Sequence, residues 1–267
     1  MGIFQYDFMK NAFIAILLIT PMFGLLGTMV VSNRMAFFSD ALGHSAFTGM
    51  AIGILLGISD TDISMIIFAI VFAVLLNLIK QKNVVSSDTV ISVFSSLSVA
   101  IGLALLSRNG DFSKYSGMLV GDVLSVGTKD NVKLLLALIA VIVCWIFGYN
   151  ALAGIGVNKS ISRSKGVQVD LYENVFACLV AVVVMLTVRM VGLLIINALI
   201  ILPAAAARNI SRNQRQYNLY SIIIALFSGV IGLFMSYYLD VAVGPMTAII
   251  AALIFFITFA LRGASRE

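Results

Sequence analysis

Long apolar runs, separated by short charged or turn-forming breaks, recur along the whole chain. They fall near 11–32, 36–58, 63–79, 88–107, 132–150, 172–188, 190–207, 218–239 and 241–261. A helix needs about 20 apolar residues to cross a hydrocarbon core of about 30 Å, and each run is close to that length. The pattern predicts eight or nine transmembrane helices. The count turns on Arg189, where two runs would meet in a very tight turn. The run 11–32 is too long for a signal-peptide core and lacks a basic start and a small-residue cleavage site, so it counts as a span.

Composition agrees and narrows the class. Hydrophobic residues make up 61% and charged residues 11% of the 267 positions, with a mean hydropathy of +1.09. Soluble domains are about 25% charged, so an ordinary soluble fold and disorder are both excluded. The expected fold is an all-α polytopic membrane protein, a single transmembrane domain over 1–267 with no room for a soluble catalytic domain. Cys144 and Cys178 sit in apolar runs and read as buried structural thiols, without disulfide or metal-ligand spacing.

The net charge of +5 is explained by basic cytoplasmic loops rather than by nucleic acid. With the C-terminus inside and spans alternating backwards, the inside set is Arg34, Lys80, Lys82, Lys159, Arg163, Lys165, Arg208, Arg212, Arg215, Arg262 and Arg266. Lys10, Arg108, Lys114, Lys129, Lys133 and Arg189 fall outside, with most acidic groups, among them Asp60, Asp62, Asp111, Asp122 and Asp240. Nine spans put the N-terminus outside; eight would put it inside.

Two connections stand apart. Segment 115–127, which contains Asp122, is mildly apolar and too short to span; an interfacial or re-entrant helix shielded by protein is expected there. The inside loop 151–171 contains Asn158, able to cap a short helix, and Gly166, able to end it. Such a helix suits docking to a soluble partner; the plain alternative is a connector.

The most informative residues are Asp40 and His44, the latter the only histidine. Their i, i+4 spacing puts both on one helical face, about 9 and 15 Å beyond Arg34 at 1.5 Å per residue. Charge at that depth costs at least a few kcal/mol. Mutual pairing would offset it; so would a cation pathway, because carboxylate and imidazole are transition-metal ligands. Two ligands are too few for a closed site, and weak ligation suits an ion that must also leave. Two facing copies would supply four. The same segment carries Ser39, Ala41, Gly43, Ser45, Ala46, Thr48 and Gly49, small residues that let helices approach closely.

No phosphate-binding Gly-x4-Gly-Lys-Ser/Thr and no His-Glu-x-x-His occurs. The stretch Leu119-Val-Gly-Asp122 looks like a fragment of intramembrane aspartyl protease sequence, but it lacks the earlier glycine and a second aspartate partner.

Three motifs carry a family resemblance. Arg34-Met-Ala-Phe-Phe-Ser-Asp-Ala-Leu-Gly-His-Ser-Ala-Phe-Thr-Gly resembles the second-span motif of the permease subunits of bacterial ABC importers for zinc and manganese. Val191-Gly-Leu-Leu-Ile-Ile-Asn-Ala-Leu-Ile-Ile-Leu-Pro-Ala-Ala-Ala-Ala-Arg208 is similar to that family's late-span signature. Leu119-Val-Gly-Asp-Val-Leu-Ser-Val is similar to its mid-chain loop. The resemblance covers essentially the whole chain.

The resemblance implies an ABC importer permease of the metal-chelate type in the bacterial cell (inner) membrane. It implies a homodimer driven by two cytosolic ABC ATPase subunits. An extracellular or periplasmic metal-binding protein would supply the ion, and with ATP hydrolysis on the separate ATPase chain the permease itself would be a transport subunit and no enzyme. Zinc or manganese would be cargo, with no permanently bound cofactor. The family's metal-pathway aspartate and histidine fall on Asp40 and His44. The 151–171 loop matches the position of the coupling helix that fits into the ATPase, implicating Asn158, Lys159, Ile161, Arg163 and Gly166; Asn158 and Lys159 replace the usual acidic start. Zinc is favoured, manganese next. The alternative is a self-contained secondary carrier or channel for divalent cations, which would share Asp40 and His44 but need no ATPase.

Overall fold

The computed structural model describes residues 6–58, 60–81, 86–108 and 116–264. Among them lie nine helices of 18 residues or more: α1 (Asp7–Ser32), α2 (Ala36–Leu55), α3 (Thr61–Gln81), α4 (Ser87–Arg108), α5 (Thr128–Val157), α7 (Val169–Val191), α8 (Leu193–Ile210), α9 (Gln214–Leu239) and α10 (Val243–Ala264). A short helix, α6 (Lys159–Ser164), lies between α5 and α7. Each predicted run corresponds to one long helix, and the described residues form no strand. The chain is thus an all-helical multi-pass membrane protein. Seven helices are long and apolar enough to cross a membrane; α8, counted from Ile195, is a shorter apolar helix. α2 falls short because Ser39, Asp40, His44, Ser45 and Thr48 dilute it, which its buried position tolerates.

α1 and α7 form the centre of the bundle. Their apolar windows are 67% and 61% buried, against 22% for α4 and α5 at the periphery. α1 packs on α9, α5 and α8; α7 packs on α3, α5 and α2; α2 lies between α3 and α4. In lipid, close packing and interhelical hydrogen bonds hold helices together, since the solvent is as apolar as the side chains. The small residues of α2 follow that logic. At Gly102 of α4 a side chain would run into the backbone of Phe47 and Thr48. Ser98 Oγ donates to Thr48 Oγ1 at 3.0 Å, and Thr48 in turn donates to the Ser98 carbonyl. On the other flank Ser221 Oγ of α9 donates to the Gly24 carbonyl of α1 at 2.7 Å.

The tight turn expected at Arg189 lies three residues later, at Gly192, where φ is +98°. The expected helix in 115–127 is absent, Tyr115 itself lying outside the described residues. Two single 3₁₀ turns stand there instead, Ser116–Leu119 and Val123–Ser125. The cause is tertiary. Gly121 takes φ +78° and lies against Val191 and Gly192, and the Asp122 amide donates to the Arg189 carbonyl at 3.1 Å. This segment is therefore bound to the α7–α8 turn rather than coiled on itself.

The 151–171 connection is also more ordered than a 20-residue loop. α5 runs on to Val157 because Leu152 and Ile155 are still buried, and α7 begins at Val169. The two ends of the bundle differ in charge. Arg34, Lys80, Lys159, Arg163, Arg208, Arg212 and Arg262 gather at one end. Asp60, Asp62, Lys133 and Arg189 meet at the other. Lys82, Arg266, Lys114 and Asp111 lie outside the described residues.

Candidate functional site

α2 begins at Ala36, so Asp40 and His44 lie about 6 and 12 Å along it. Helical geometry stacks them as predicted, with His44 Nε2 3.7 Å from Asp40 Oδ2. That is ion-pair range but too long for a hydrogen bond. Most of α2 is buried, yet these two side chains are 32% (His44) and 44% (Asp40) exposed. They form a polar, open strip between the two ends of a helix whose middle is otherwise buried, Phe37 and Leu55 being exposed only at those ends.

The neighbouring residue ties this strip to α8. Ser39 Oγ lies 2.6 Å from Asn197 Oδ1 and 2.8 Å from the Ala36 carbonyl, and its single proton is given to one or the other. Asn197 is half-buried, so α8 adds an amide to the polar strip. Among the described residues no group of three or more His, Cys, Asp or Glu side chains could hold a metal ion. One chain therefore offers a cation one imidazole and one carboxylate on an open face.

The segment 158–166 is a compact unit at the basic end. Asn158 caps α6, its Oδ1 accepting from the Ile161 amide at 3.1 Å. Lys159 pairs with the buried Glu173 of α7, and Arg163 Nη2 sits 2.6 Å from Asp170 Oδ1. Gly166, at φ +81°, lets the chain turn back into α7. Two ion pairs thus fasten α6 to α7, while Ile161 is left 53% exposed. The arrangement is a short, braced helix presenting an apolar residue outward.

Sequence reasoning missed the cluster at the opposite end. Asp62 is 8% exposed. Its Oδ2 lies 2.7 Å from Lys133 Nζ and its Oδ1 3.0 Å from Arg189 Nη1. Lys133 also reaches Asp60 at 3.8 Å. One carboxylate thereby links α3, α5 and α7. Inside the bundle Asn77 Nδ2 of α3 donates to Asn174 Oδ1 of α7 at 2.6 Å. Asp122 is occupied as a cap, accepting from the Leu124 amide at 3.0 Å. Cys144 and Cys178 are free and only half-buried, a correction to their expected burial, each lying one helical turn from an exposed residue, Phe147 and Val175 respectively.

Comparison with known proteins agrees with this architecture. A profile of the ABC 3 transport family matches residues 5–262. The chain is 26% identical to the manganese import system permease protein ScaB of Streptococcus parasanguinis, over 100% of this chain and 95% of that protein. It is 29% identical to the high-affinity zinc uptake system membrane protein ZnuB of Haemophilus influenzae, over 86% of this chain and 88% of that protein. Among solved structures, PsaBC from Streptococcus pneumoniae in complex with Fab superposes with a TM-score of 0.85 at 27% identity, covering 97% of this chain and 93% of that one. On a match that spans nearly every residue, the chain belongs to the ABC 3 transport family.

Proposed function

We propose that this chain is the permease of an ATP-driven importer of divalent transition metal ions, zinc before manganese, and that it lines the translocation path as a homodimer. The observation that carries the reading is the open Asp40–His44 pair on a buried helix. A second copy facing this strip would bring two carboxylates and two imidazoles together, a set that suits either metal. The printed names of the relatives include both manganese and zinc systems, and zinc is preferred on the overall look of the sequence.

The basic end of the bundle is taken as cytosolic on the positive-inside rule. There α6 would fit into a separate ATPase chain, Asn158, Lys159, Arg163 and Gly166 holding its shape and Ile161 meeting the partner. Closure of two ATPase subunits would push on α6, and its ion pairs to α7 would pass the movement to the central helices. Rocking of the two bundles would open the Asp40–His44 strip to one side or the other. A metal-binding protein would supply the ion at the opposite end.

The test is uptake of radiolabelled zinc and manganese in cells lacking their own importers. The chain is supplied with its ATPase and binding protein, with the ATPase active or disabled in hydrolysis. Uptake of one metal that vanishes with the disabled ATPase is the expected result and names the cargo. Uptake that survives it would instead support a secondary carrier, and the role given to α6 would be withdrawn.

A further inference from the structure

We infer that the cavity between the ends of α5, α8, α9 and α10 binds the phosphate-bearing headgroup of an anionic phospholipid. Its cytosolic placement rests on the orientation proposed above. The cavity measures about 710 Å³ and is lined by Arg208, Arg212 and Arg262 with no carboxylate on its wall. Among the described residues none of the three arginines has an ion-pair partner. Arg262 Nη1 reaches only Asn209 Oδ1, at 3.3 Å. Tyr217, 4% exposed, also lines the cavity, and its buried hydroxyl has the Ser32 side chain as a neighbour but no hydrogen bond of normal length. Concentrated like charge and an unmet buried hydroxyl both cost free energy. A phosphate would relieve both, since guanidinium forks bind it bidentately and the phenol can donate to it.

The source of the phosphate is read from the surface beside the cavity. Phe256 and Phe259 are 65% and 60% exposed on α10, and Phe259 stands one turn before Arg262, its i, i+3 neighbour on the helix surface. Val157, 88% exposed, stands on the cavity rim. An apolar outer face that leads straight to three arginines fits an amphiphile, acyl chain along α10 and headgroup in the cavity. Basic pockets between transmembrane helices on the cytosolic side are typical sites for anionic headgroups. Free phosphate would use the arginines but not the aromatic face.

The experiment is thermal unfolding of the purified full chain in lipid nanodiscs without added metal, so that its outcome is independent of transport. Discs of phosphatidylcholine are compared with discs containing phosphatidylglycerol, and inorganic phosphate is added separately to the former. Phosphatidylglycerol is expected to raise Tm by several degrees. Arg208→Gln, Arg212→Gln and Arg262→Gln should each reduce that rise and together remove it. Lys129→Gln, an equal charge change at the other end of the bundle, should leave it intact. A rise that persists in the triple variant, or falls equally with Lys129→Gln, overturns the site. A full rise from inorganic phosphate in phosphatidylcholine discs overturns the lipid as its source. Should the triple variant fail to fold, the single variants decide the question.

Discussion

Asp62 at the start of α3 takes a 2.7 Å hydrogen bond from Lys133 on α5 through Oδ2, and its other oxygen remains free to hold Arg189 on α7. A buried carboxylate with two cationic partners is costly to break, because removing the anion leaves two cations without compensation. Here Arg189 is 56% and Lys133 39% exposed, so water recovers part of the loss. Asp62→Ala is expected to destabilise by about 1–3 kcal/mol. Lys133→Ala should cost about 1 kcal/mol, since Arg189 still meets Asp62. Thermal unfolding in detergent measures both; an unchanged melting curve for Asp62→Ala would show that the cluster holds nothing together.

What the sequence revealed and what it hid divide along chain separation. The helices were legible because hydrophobic runs of bilayer length are local signals, and the Asn158 cap and Gly166 stop lie within one short segment. The Asp40–His44 contact was legible for the same reason, being one helical turn. The Asp62 cluster was not, because its partners stand 71 and 127 positions away, and Arg189 read only as a break between spans. The Ser39–Asn197 contact spans 158 positions, and a lone Asn in an apolar run does not name its partner. The 3₁₀ turns around Asp122 follow from contact with a turn 70 residues on, which no local pattern encodes.

That contact sets up a comparison of two glycines. Gly192 has φ +98°, and a Cβ there would collide with the backbone of Val120. Gly57 also has a positive φ, +69°, but nothing lies within 4 Å of the same position. Alanine at Gly57 pays backbone strain alone, about 1 kcal/mol. At Gly192 it must also displace the segment that carries Gly121, for about 3 kcal/mol or more. Chemical or thermal unfolding of the two variants should rank them in that order, and equal losses would refute the close approach.

Asp40 and His44 lead to the opposite expectation. The pair is partly exposed and 3.7 Å apart, so its mutual stabilisation is small, about 0–1 kcal/mol. Asp40→Ala and His44→Ala should leave expression and melting temperature near wild type while each abolishes metal uptake. Asp40→Asn keeps an oxygen but loses the charge, and should retain little transport. Wild-type uptake in both alanine variants would end the pathway assignment; large losses of stability with proportionate losses of uptake would recast the pair as packing.

α6 separates docking from folding in the same way. Ile161 is 53% exposed, and it contributes only its amide to the cap formed by Asn158. Ile161→Asp should therefore unfold nothing, yet place a charge where an apolar contact with the ATPase is proposed. The expected outcome is loss of ATPase co-purification and of uptake at unchanged Tm. Asn158→Ala instead removes a cap worth about 1 kcal/mol, which frays α6 and should weaken co-purification only in part. Its ion pairs, Lys159 to Glu173 and Arg163 to Asp170, still hold the helix against α7. If Ile161→Asp binds the ATPase as wild type does, the exposed face of α6 is not the contact, and coupling must be sought elsewhere on the basic end of the bundle.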